Sequence, residues 1–213
     1  MRSNRSTAVA VTAVSLLLAA AASRAASVDM KDPRRAVGRE DDIRIDAQLR
    51  QDTLSASSAL GVTYQVENLT QKPIAIADKI VDVTYDAETQ TVLFTIGSEV
   101  PSATMPHIVT IAPGDKRVLT AGGMLHVNVP HMRSPFLATP RSVQIKVNVL
   151  RDPAPFQNVA VQQPMSGALF DRWVEASDSI YCNPIPVTWR AGGAPSVTAA
   201  EARDVPEVSQ GNW

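Results

Sequence analysis

The chain has 213 residues, 45% of them hydrophobic, with 20 Lys and Arg against 21 Asp and Glu and a formal net charge of −1. That balance, without a basic block, excludes the electrostatic footprint of a nucleic-acid binder or of a protein drawn to anionic membranes. A single cysteine, Cys182, excludes an intramolecular disulfide, so burial alone must hold the fold together.

The first element in chain order reads as a secretory signal. Two arginines precede the apolar run Ala8 to Ala22, and Ser23-Arg24-Ala25 places small residues where a signal peptidase reads. Residues 1–25 are therefore expected to be a signal peptide. The run is short for a membrane span, and Asp29, Lys31, Asp32, Arg34 and Arg35 follow it closely. No cysteine follows the cleavage region to carry a lipid anchor. The mature chain is expected in the periplasm or secreted, with no transmembrane helix after signal cleavage. Cleavage removes three arginines and no acid, so the formal charge moves from −1 to −4.

Residues 26–42 lack periodicity and are rich in charge, which predicts a flexible N-terminal segment; residues 191–213, with Gly, Pro, Ala and scattered acids, predict a disordered tail. Between them, residues 43–190 are expected to form a single domain. Ile43 to Leu49 and Gly61 to Asn68 alternate apolar and polar residues with the period of a strand. Asn68 to Pro73 supplies a turn before Ile74 and Ile76. Ile80 to Tyr85 and Thr91 to Ile96 predict a hairpin. Ile108 to Ile111 and Lys116 to Leu119 flank Ala-Pro-Gly-Asp, where proline sets φ and glycine admits positive φ. Ala-Gly-Gly then separates a further strand, Met124 to Val129, and Ser142 to Leu150 is the longest alternating run. Ala168 to Ala176 has helical spacing of Leu169, Trp173 and Ala176, and Pro186 to Arg190 predicts a last strand.

Strands without intervening amphipathic helices favour an all-β fold. The expectation is an antiparallel β-sandwich of about 7–9 strands with one short helix near the C-terminus. The order Asn-x-Thr, Pro, strand, then an apolar-Pro-Gly-Asp turn over residues 43–150 resembles immunoglobulin-like domains of bacterial exported proteins. The resemblance implies that fold and no particular activity.

Motifs of the common enzyme classes are missing: there is no Gly-x-Ser-x-Gly elbow, His-Glu-x-x-His, paired Cys-x-x-Cys, Walker loop or dinucleotide glycine motif. Asp78, Asp82, Glu88 and Glu99 offer carboxylates that a hydrolase could pair, but no spacing joins them. Asn68-Leu69-Thr70 fits a glycosylation acceptor and reads here as a turn. Phe136-Leu137 reads as a loop pair bound for the core. Cys182 ends an apolar run and reads as a buried, inert thiol.

One stretch raises a metal. All three histidines lie near methionines: Met105 with His107, Met124 with His126, and His131 with Met132. Thioether and imidazole together suit copper(I), and strand spacing would put the first two couples each on one face. If Ile108 to Ile111 paired near Met124 to Val129, the couples could converge. The leading expectation is nonetheless a non-enzymatic module with no resident cofactor that binds a protein or envelope partner; a periplasmic copper(I)-binding protein is the alternative.

Overall fold

The structure, a computed structural model, describes residues 27–97, 104–126 and 139–190. The expected signal peptide and C-terminal tail lie outside the described residues, as do Glu99, His131, Met132, Phe136 and Leu137. The described chain is mostly β, with largely antiparallel sheets. Among the described residues no helix is long and apolar enough to cross a membrane.

β1 (Arg35–Glu40) and β2 (Ile43–Leu49) form a hairpin paired along its whole length. Residues 35–40, which composition reads as part of a flexible N-terminal segment, form β1. Composition hid an alternation in which Ala36 and Gly38 face inward while Arg35 and Arg39 face out. Gly38 has to be small, because a Cβ there would lie 2.7 Å from the backbone oxygen of Tyr181. Upstream, Asp32 pins the entry to β1 by accepting from the Arg34 backbone N–H at 2.8 Å and from Gln48 Nε2 at 2.7 Å.

The short β3 (Thr53–Leu54) precedes β4 (Ser57–Asn68), and then come β5 (Ile74–Ile76), β6 (Val81–Asp86), β7 (Thr91–Ile96), β8 (Val109–Ile111) and β9 (Lys116–His126). The sequence predicts a break in β9 at Ala-Gly-Gly, but the strand runs through it, paired with β4 from Glu67↔Lys116 to Ser57↔His126. Gly123 marks close approach rather than a turn: a Cβ there would meet Val83 Cγ2 at 2.5 Å. The Ala-Pro-Gly-Asp turn forms as expected, with Gly114 at φ 76° and Asp115 N–H donating to Ala112 O at 3.1 Å.

β10 (Ser142–Leu150), α1 (Gly167–Ala176), β11 (Ser177–Tyr181), β12 (Ile185–Pro186) and β13 (Thr188–Trp189) complete the described chain. One sheet has the order β1-β2-β4-β9, and the other β6-β7-β10-β5-β8, with β11 and β12 also pairing β10. β13 and β3 form a small parallel pair. The second sheet departs from the expected antiparallel pattern because β7 and β10 run parallel over Thr91↔Ser142 to Ile96↔Val147. A parallel neighbour needs a long crossover, and here the chain visits the other sheet through β9 before it returns.

The inward faces of both sheets bury one continuous core. Ile43, Ile45, Leu49, Val62, Tyr64 and Val66 come from the first sheet, and Val92, Phe94, Ile96, Val143, Ile145 and Val147 from the second. The two seams are closed by the Gly123 contact with β6 on one side and, on the other, by Asn183 N–H donating to Val37 O at 3.0 Å. Arg151 adds a polar tie, pairing with Asp178 and, at 3.0 Å, with Asp41 in the β1–β2 turn.

A third tie is buried. The Asn68 amide donates to Lys72 O at 2.8 Å and Ile111 O at 3.0 Å, while its Oδ1 accepts from Thr70 N–H at 3.0 Å and Thr70 Oγ1 at 2.7 Å. Both amide hydrogens are committed, so the asparagine serves as the turn residue that the sequence suggests. Replacing it by alanine leaves buried backbone acceptors unmet at about 1–3 kcal/mol. Asn68→Ala is expected to lower the melting temperature by about 3–10 °C, read by calorimetry.

Candidate binding site

β5 is buried on both faces. Ile74 and Ile76 enter the main core, whereas Ala75 and Ala77 point to the opposite side and meet a second apolar cluster of Met105, Leu150, Phe156, Met165 and Trp173. Small side chains at 75 and 77 let that cluster sit directly on the sheet. It carries α1. Ser166 caps the helix by accepting from Leu169 N–H at 3.3 Å, and Ser177 Oγ closes the other end by donating to Trp173 O at 2.6 Å. Trp173 anchors the helix, 3% exposed and edge-on to Phe156 with centroids 5.1 Å apart.

So anchored, α1 covers only part of the outer face of the second sheet. Between the helix and the uncovered strands lies a cleft of about 610 Å³. Its floor is set by register. Asp82 on β6 lies opposite Thr95 on β7, Thr95 opposite Lys146 on β10, and Lys146 opposite Tyr181 on β11, so one line of outward side chains crosses four strands. One step along, Asn148 lies opposite Ser179, whose hydroxyl donates to Asn148 Oδ1 at 2.8 Å. Ile80, Leu93, Trp173 and Val174 supply the apolar wall. Val174 is 44% exposed, an apolar side chain left facing the opening.

The lining offers hydroxyls, an amide, one carboxylate and one ammonium. Among the described residues, no group of three His, Cys, Asp or Glu side chains converges for a metal. Asp82 and Glu88 are exposed and apart in register, and Asp78 is buried elsewhere.

Of the methionine and histidine couples, the two within the described residues lie in different surroundings. Met105 is buried in the second cluster, while His107 Nδ1 lies 2.7 Å from Asp78 Oδ1. Lys79 also pairs with Asp78, at 3.0 Å. Met124 and His126 share the exposed face of β9. The pairing that would have joined the couples does not form, because β8 pairs with β5 and β9 with β4. The alternation that lays Ile111 in the core is satisfied equally by either partner strand, so sequence alone did not choose.

The cleft residues carried a weak signal. Lys146 and Asn148, with Ser142 and Gln144, are the polar positions of an alternating strand, and such positions define an outer face. What aligns them with Thr95 and Asp82 is the β7–β10 parallel register, which alternation does not reveal. The chain matches no protein-family model, and no curated protein shows significant similarity to it.

Two buried acids respond to the core. Burial, with the Asp46 carboxylate as a lesser cause, pushes the Cys182 thiol up to about 12 from an ordinary value of 9.0. Burial, helped by Asp78, likewise raises the Tyr64 phenol. Raised acids favour the folded state below their unfolded values and lose that contribution as pH climbs towards the folded ones. Unfolding free energy is therefore expected to fall as pH rises from about 9 to about 12. In the same range Cys182 should resist a thiol reagent until guanidinium is added, which spectrophotometric labelling would read.

Proposed function

We propose that the chain is an exported, non-enzymatic binding or envelope-assembly module with an immunoglobulin-like β-sandwich, and that it holds its partner in the cleft beside α1. The carrying observation is the cleft itself: its volume of about 610 Å³ falls among ordinary ligand sites, and it joins an apolar wall to a floor of polar side chains. The β-sandwich reading is supported by two sheets burying a common core, and by a polar turn at Asn68 between them. Export is supported by the pattern of residues 1–25, and a binding role by the lack of catalytic motifs.

A photoreactive amino acid in place of Val174, with Val161 as a control exposed to 55% and outside the cleft wall, tests the reading in intact cells. A discrete adduct from position 174 that the control does not give is the expected result, recovered in the envelope fraction. Equal labelling at both positions, or a chain that stays in the cytosol with residues 1–25 attached, would sink it.

A further inference from the structure

We infer that the cleft takes a neutral, polyhydroxylated ligand, a short saccharide; this rests on reading the cleft as the binding place. The floor offers hydrogen-bonding groups that the fold itself leaves unused. Among the described residues no side chain hydrogen-bonds the Asp82 carboxylate or the Thr95 hydroxyl, and Asn148 spends only its Oδ1, on Ser179, keeping its amide nitrogen free. Among the described residues Lys146 makes no ion pair; its ammonium lies over the Tyr181 ring, 5.5 Å from the centroid.

Charge narrows the class. Asp82 and Lys146 stand two strands apart, about 10 Å by strand spacing, and they do not pair with each other. One acid and one base leave the floor without net charge, so neither a polyanion nor a polycation gains from it. A ligand with donors and acceptors distributed round its rim can answer all four groups at once, since a hydroxyl both donates and accepts.

Shape narrows it further. An extended peptide needs either a free strand edge or apolar pockets for alternate side chains. The floor strands β7 and β10 are paired on both sides and the floor is polar, while β6, the end strand of the sheet, only rims the cleft. Its one apolar wall, Leu93 with Ile80 and Val174, suits the C–H face of a sugar ring while the polar floor meets the hydroxyl rim.

The test is an amide-shift titration of the ¹⁵N-labelled full chain with cellobiose, maltotriose and N,N′-diacetylchitobiose, and in parallel with trialanine. At least one saccharide is expected to shift the Thr95, Lys146 and Asn148 amides saturably. Asp82→Ala and Lys146→Met should each weaken it by about tenfold or more, with resonances of the β1-β2-β4-β9 sheet unmoved. Shifts given only by trialanine would overturn the saccharide assignment while leaving a binding cleft in place. No cleft shift with any probe would overturn it too, and a position-174 adduct would then show that the cleft binds something else. Saccharide binding untouched by both substitutions would place the ligand elsewhere and overturn it as well.

Discussion

The Asn68 carboxamide joins the end of β4, in one sheet, to the turn that leads to β5 and to the end of β8, in the other, and no strand ladder among the described residues connects β4 to either. Its backbone takes part as well, donating to Asp115 O at 2.9 Å and accepting from Gly114 N–H at 2.7 Å. One residue with no exposed surface therefore ties both sheets at the same corner. Buried polar groups are stabilising only when every partner is present, and here each side-chain atom has one. The position of β5 follows, because the turn that Asn68 closes delivers the chain to Ile74.

From β5 the consequences run outward. A strand buried on both faces cannot end the structure; something must cover Ala75 and Ala77. Phe156, Met165 and Trp173 do so, and the helix that carries Trp173 comes with them. Two alanines are too small to fill a second layer, which is why the covering side chains are large. The cleft is thus a by-product of a packing requirement: α1 has to sit over β5, and it is not wide enough to reach β6 and β7.

Alternation carried much of this. β7 and β10 coincide with their predicted runs, and α1 begins one residue earlier than its periodicity suggested. Alternation reports which face a residue takes, however, and not which strand lies beside it. The parallel neighbours β7 and β10, the continuous β9 and the hidden β1 all depend on contacts distant in sequence. Gly123 shows the difficulty: beside Gly122 it reads as a turn, and only Val83 across the seam shows why a side chain is barred. The same blindness kept Asp82, Thr95 and Lys146 from being seen together. It also let the methionines and histidines look like a cluster, since nearness in the chain was the only nearness available.

Polar side chains on the outer face of a sheet are ordinary when water covers them. Here α1 changes their setting without engaging them. Thr95 is 5% exposed on that face, and Asn148 and Ser179 are half-buried beside the helix. In such a place hydrogen bonds are stronger than in water, and groups without partners are correspondingly costly. A fold under pressure only for stability would replace Thr95 with valine, which has the same shape and a comfortable β-propensity. Thr95 instead carries a hydroxyl, between an acid and a base that do not pair with each other, and that is a local disagreement with packing.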